Sequence, residues 1–171
     1  MAIYKIFPEQ SATLYSSEPT LNSGIDEILE IGTYLYTDGT YQVSRPLIQF
    51  SQSEITDIIT NKVNGANYDI FLRLSLADAS VIPSNYTVYC YPVYNTWNIG
   101  TGRSSNSPIT TDGASWTYTD GTEGDTVWYY TNNIPDPELQ YHDDGTNHGG
   151  GLWWEIIFLL KILPTYPLKI Y

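Results

Sequence analysis

Between residues 3 and 50, apolar and polar positions alternate in short runs, and Pro, Asn or Gly closes each run. That rhythm belongs to half-buried β-strands joined by tight turns. It predicts strands over residues 12–15, 28–31, 34–36 and 42–50, with Ile48 and Phe50 sharing the inner face of the last. Turns are expected at residues 15–19 and at Asn22-Ser23-Gly24. Asp38-Gly39 tolerates the positive φ angles of a type I′ hairpin.

Further along, Ser51-Gln52-Ser53-Glu54 has the form of a capping box, and Ile55, Ile58 and Ile59 follow at helical spacing. A short helix is predicted over residues 53–61, its Ile face packing on one end of a sandwich. Residues 68–76 alternate most regularly, with Tyr68, Ile70, Leu72, Leu74 and Leu76 on one parity. Residues 84–94 predict another strand, with Val88 and Cys90 inward. After a loop at residues 100–108, short strands are expected over 115–118 and 126–131. The predicted core contains Leu14, Ile48, Phe50, Ile70, Leu72, Leu74, Val88 and Cys90. A one-residue slip would turn each of these outward.

The order of the first pieces carries a resemblance. Phe7-Pro8-Glu9-Gln10-Ser11-Ala12-Thr13-Leu14-Tyr15 is followed by Pro19-Thr20-Leu21-Asn22-Ser23-Gly24. Then come Ile28-Leu29-Glu30-Ile31-Gly32 and Arg45-Pro46-Leu47-Ile48-Gln49-Phe50. This succession resembles the DNRLRE-type jelly-roll domain of secreted carbohydrate-binding modules. Its tyrosine-rich texture is similar to virion structural proteins of T4-like tailed phages of marine bacteria. The resemblance covers residues 3–154 and implies an all-β, jelly-roll-type sandwich as a single domain over residues 1–154. A Trp soon after the central Tyr/Val strand is typical of such domains, and Tyr94-Asn95-Thr96-Trp97 occupies that place in a packing role.

The last stretch has another texture. Glu155-Ile156-Ile157-Phe158-Leu159-Leu160-Lys161-Ile162-Leu163 is almost continuously apolar, then Pro164 and Pro167 interrupt it. It is too short for a membrane span and lacks strand alternation. Residues 155–171 are therefore expected to replace the strands that close the sandwich, through truncation or a frameshift after Trp154. A genuine C-terminal element buried against a neighbour is the alternative.

Charge narrows the partners. Nineteen acidic against seven basic residues give a net charge of −12, which opposes nucleic acid and anionic membranes. The single cysteine, Cys90, allows no internal disulfide, and the N-terminus lacks a basic and apolar signal pattern. Assembly in a host cytoplasm is the resulting expectation. Sixteen Tyr against four Phe suit contact surfaces, since a tyrosine ring packs on one side and leaves a hydroxyl for water or a partner.

Candidate chemistry is sparse. His142, Asp143, Asp144 and His148 lie in one glycine-rich loop that preorganises a metal site poorly. Asp120, Glu123 and Asp125 do not match the EF-hand spacing, so calcium has no support, and no cofactor or metal is expected. No nucleophile elbow or phosphate loop is present, and Cys90 reads as a core thiol. An enzyme is not expected. The aromatic set Trp97, Trp116, Tyr118, Trp128, Tyr129 and Tyr130 is the functional candidate. Within it Trp116, Tyr118, Trp128 and Tyr130 are expected to project from adjacent strands as a binding platform, with Trp116 and Trp128 more exposed than Trp97.

Two readings follow. The first is a non-enzymatic virion structural protein of tail, neck or head decoration, acting through contacts with other virion proteins or with copies of itself. The second is a carbohydrate-binding module whose aromatic platform meets a host-surface glycan. A lyase or hydrolase on the same sandwich is a third and weaker one.

Overall fold

In the computed structural model of the chain, an antiparallel three-stranded sheet carries the order β1-β3-β2, with β1 at Pro8–Tyr15, β2 at Gly32–Leu35 and β3 at Tyr41–Phe50. The structure describes residues 2–75, 77, 93, 95–121 and 128, together with the backbone of 87–88 and 160–161. Expectations for Tyr129, Tyr130, Cys90, Glu123, Asp125 and residues 142–148 lie outside these, as does most of 155–171. In the described part the architecture is all-β with one short helix.

The sheet forms where alternation is backed by turn chemistry. β2 and β3 are joined by a hairpin in which the Gly39 amide donates to the Tyr36 carbonyl at 3.0 Å and the Tyr36 amide to the Thr40 carbonyl at 2.9 Å. Gly39 has φ +85° while Asp38 does not have positive φ, so the turn is type I closed by a left-handed glycine rather than type I′. The Asp38 carboxylate fixes it by accepting from the Thr40 amide at 2.9 Å and the Thr40 hydroxyl at 2.7 Å.

β1 pairs with β3 so that Ala12 faces Leu47, Thr13 faces Pro46 and Leu14 faces Arg45. Both backbone groups of Thr13 bond to Ser23 Oγ at 2.8 Å and therefore point away from β3. Pro46, which has no amide hydrogen, sits opposite a residue that asks nothing of it. Its own nitrogen points toward β2, two residues beyond the last β2 pair at Ser44, where no acceptor waits.

The inner face is set by Leu14 and Leu47, which meet Ala114 and Trp128 in one buried cluster, with Val93, Trp97 and Trp116 packed around it. This corrects the phase expected for β3. Leu47 is 1 % exposed, whereas Ile48 and Phe50, on the opposite parity, are only half-buried.

Other elements depart from expectation. No strand forms over residues 28–31, because the Glu30 amide donates to Thr13 Oγ1 at 3.1 Å instead of joining a ladder. Residues 68–75 are not a strand either. They join no β-ladder, and Ile70 is 67 % exposed rather than inward, with Leu72 and Leu74 half-buried. The helix is α1 at Gln52–Asp57, continuing as a π-helical stretch over Ile58–Val63 to a left-handed Asn64. The capping box does not close, since Ser51 Oγ lies 3.0 Å from Ser53 Oγ rather than on an amide. Two short strands, β4 at Thr87–Val88 and β5 at Leu160–Lys161, pair antiparallel, so the apolar tail supplies a strand at this point.

The β3 phase is open to test. Leu47→Ala is expected to cost about 2–5 kcal/mol in urea unfolding, and Ile48→Ala roughly half of that. Equal costs, or a larger one at Ile48, would place the core on the other face.

Candidate functional site

The structure corrects the expected strand geometry and exposure of three platform residues, Trp116, Tyr118 and Trp128, while Tyr130 lies outside the described residues. Residues 115–118 form a tight turn rather than a strand, with the Ser115 amide on the Tyr118 carbonyl at 2.9 Å and the Tyr118 amide on Ser115 Oγ at 3.1 Å. Trp116 and Tyr118 therefore do not share a strand face, and both are half-buried. Trp128 is 5 % exposed and belongs to the core. Its indole Nε1 donates to the Ser115 carbonyl at 2.8 Å, the partner a buried tryptophan requires.

Trp97 and Trp116 are alike in being half-buried against that core, so the expected exposure of Trp116 and Trp128 beyond Trp97 is not found. The Arg45 guanidinium stands 4.9 Å from the centre of the Trp116 ring and occupies one of its faces. Burial lowers the pKa of Arg45 from its ordinary value. That face of the ring is therefore already stacked by a cation.

The surface that does present apolar groups to water is the β2–β3 hairpin. Tyr34 is 56 % exposed, Leu35 62 % and Tyr41 67 %, and Ile28, Ile31 and Tyr36 are also exposed. Leu35 faces Tyr41 across the strands on one side of the sheet, and Tyr34 and Tyr36 emerge on the other. Both sides of the hairpin are thus apolar and wet. An edge strand of a self-contained protein would more often carry lysine or proline.

Its electrostatics are one-sided. Between Lys5 and Arg45 the chain has six carboxylates (Glu9, Glu18, Asp26, Glu27, Glu30 and Asp38) and no Lys or Arg. The Thr40 hydroxyl and amide hold the Asp38 carboxyl below its ordinary pKa, so it stays anionic. On the sheet beside it, the Tyr15 phenol is pushed up to about 12, chiefly by burial and then by Glu30, with Asp26 adding to it. The hairpin is an uncharged apolar ridge with acidic ends.

A polar hub lies on the β1 side of the sheet, where Ser23 bonds Thr13. Asn22 is fully buried, and its amide Nδ2 donates to the Ile99 carbonyl at 2.9 Å and the Ala114 carbonyl at 3.0 Å. Its Oδ1 accepts from the Gly102 amide at 2.7 Å and the Gly24 amide at 3.3 Å. Sequence reasoning assigned Asn22 only to a turn. The signal it missed is Gly100-Thr101-Gly102: a Cβ at Gly100 would run into Asn22 Oδ1, and one at Gly102 into the Asn22 carbonyl. Outside the hub, the Asp112 carboxylate accepts from the Thr101 amide at 2.9 Å and the Thr101 hydroxyl at 2.6 Å, which lowers its pKa. The hub has the character of a structural clamp, with every polar atom of the amide engaged by backbone.

Among the described residues no cluster of His, Cys, Asp and Glu is placed to hold a metal, and no helix is long and apolar enough to cross a membrane.

The two tryptophans are expected to part company under substitution. Trp128→Ala should cost about 3–5 kcal/mol of stability, because it empties the core and strips the Ser115 carbonyl of its donor. Trp116→Ala should cost less, about 1 kcal/mol of it from the lost Arg45 stack. Thermal melts of the single variants decide this, and similar small shifts for both would return Trp128 to the surface. Neither protein families, curated proteins nor solved structures give a match to this chain.

Proposed function

We propose that the chain is a non-enzymatic structural protein of a phage particle, a jelly-roll-type sandwich of tail, neck or head decoration that works through protein contacts. One observation carries the reading. The β2–β3 hairpin exposes Tyr34, Leu35, Tyr36 and Tyr41 together, and an apolar ridge of that kind is a contact surface awaiting burial. The succession of residues 7–50 supports it further, since the resemblance to DNRLRE-type domains rests on these same strands and turns. Two of the resembled segments meet on the inner face, where Leu14 and Leu47 share the buried cluster. The glycan-binding reading loses its footing with Trp128 in the core and Arg45 on Trp116.

Mass spectrometry of particles purified from a culture that expresses the chain tests this. The chain is expected in the particle fraction at a copy number comparable with other structural components. Recovery only from the soluble fraction, with particles free of it, would overturn the reading. Tyr34→Ser combined with Tyr41→Ser should lower its incorporation about tenfold or more, since each exposed aromatic at a contact contributes on the order of 1–2 kcal/mol.

A further inference from the structure

We infer that the outer edge of β2 is a strand-addition site, taking an extended segment of a partner protein that carries uncharged β-forming residues between basic ends. The inference rests on the contact reading above and says how that contact is made.

Register identifies the open groups. The Ser16 amide donates to the Val43 carbonyl at 3.0 Å, and the Val43 amide donates to Ser16 Oγ at 2.7 Å. Both backbone groups of Val43 therefore point toward β1. Thr33 is the residue opposite Val43. In an antiparallel ladder the bonding direction alternates along each strand, so the Thr33 amide and carbonyl point away from β3. Leu35, two residues on, repeats that direction. Among the described residues, neither backbone group of Thr33 or Leu35 has a hydrogen-bond partner. Two residues on one edge thus offer a ready ladder of two donors and two acceptors.

The other edge of the sheet is blocked at its centre. On β1 the outward groups of Thr13 are both taken by Ser23 Oγ, and Thr13 Oγ1 receives the Glu30 amide. The outer edge of β2 is open at Thr33 and Leu35, whereas β1 is blocked midway along its edge.

Side chains and charge select the occupant. Residues 31–36, Ile-Gly-Thr-Tyr-Leu-Tyr, carry no charge. A strand laid along them meets Tyr34 on one face and Thr33 and Leu35 on the other, which favours alternating β-branched and aromatic residues. Glu30 stands before this stretch and Asp38 after it. A second copy would bring the same acidic ends to an already acidic chain of net charge −12, whereas a partner with Lys or Arg at its ends meets carboxylates at both. Complementarity decides for the basic-ended partner.

The probe is a short, terminally blocked peptide of alternating Thr and Val around a central Tyr, with Lys at each end, titrated into the full chain. Amide hydrogen exchange reads the result. In the chain alone Thr33 and Leu35 should exchange fast while Tyr34, bonded to β3, is protected. With peptide bound, Thr33 and Leu35 should become protected and Tyr34 should be unchanged. The same peptide with Glu ends should bind about tenfold more weakly at low salt, the gap closing in high salt. Thr33→Pro removes an outward donor that β3 does not use, so it should weaken binding about tenfold and leave the thermal melt in place. A peptide with N-methylated edge amides should fail on the unaltered chain, which tests the edge without any variant.

Peptide binding that leaves Thr33 and Leu35 exchanging freely, or equal affinity for Lys and Glu ends, would overturn the inference. So would a β2-dependent dimer, lost in Thr33→Pro, that the Lys-ended peptide cannot displace. If the edge stays open while the chain is still found in purified particles, strand addition fails and the contact reading survives.

Discussion

A primary amide buried away from water must find two acceptors for its nitrogen and two donors for its oxygen, and Asn22 finds all four in backbone groups, three of them in another segment. Nδ2 reaches the carbonyls of Ile99 and Ala114, and Oδ1 the amides of Gly24 and Gly102. Its own amide donates to the Thr110 carbonyl at 2.8 Å. One side chain thus joins the turn after β1 to two separate stretches of the irregular segment over residues 98–115. Irregular backbone can lie inside a protein only when its polar groups are paired, and no ladder is available to pair these.

The consequences spread outward from that point. With Asn22 fixed, its neighbour Ser23 is held against β1, where its hydroxyl both donates to and accepts from Thr13 and blocks the middle of that edge. Ala114, whose carbonyl Asn22 holds, lies in the cluster with Leu14, Leu47 and Trp128. Ser115 continues the same segment and receives the Trp128 indole. The clamp therefore positions both the inner face of the sheet and the blocked centre of its β1 edge. It does not reach the far edge, where among the described residues β2 pairs with β3 alone. The difference between the two edges, blocked at Thr13 of β1 and open at Thr33 and Leu35 of β2, follows from where the clamp sits.

Strands were legible in the sequence where alternation and turn chemistry agreed, as at residues 34–50. The phase of β3 was not, because Pro46-Leu47-Ile48-Gln49-Phe50 is apolar on both parities, and the choice falls to Ala114 and Trp128 far along the chain. Residues 68–75 alternate better than any others, yet alternation by itself supplies no ladder, and they join none. Trp128 looked exposed because Gly and Asp surround it in sequence. What decides its place is an unused carbonyl at Ser115, which no local pattern announces. The apolar ridge on the hairpin was present in the sequence as Tyr34, Leu35, Tyr36 and Tyr41. It was read as sheet, since burial on the second face is a property of neighbours that a single strand does not reveal. Asn22 was hidden for the reason that makes it central: its four partners are backbone groups, and backbone has no sequence signature beyond the glycines that let it approach.

The central claim is that the buried Asn22 amide holds the fold, and urea unfolding of Asn22→Ala against the unaltered chain tests it most directly. Loss of the amide leaves two carbonyls and two amides without partners in a dry site, at about 1–3 kcal/mol for each group that cannot recover one. The expected result is a loss of roughly 3–5 kcal/mol, or failure to fold, because partly satisfied buried networks are not tolerated. Asn61→Ala, which removes an exposed side chain bonded only to Asp57, should stay within about 0.5 kcal/mol of the unaltered chain. An Asn22→Ala protein as stable as Asn61→Ala, with the same cooperative transition, would contradict the account.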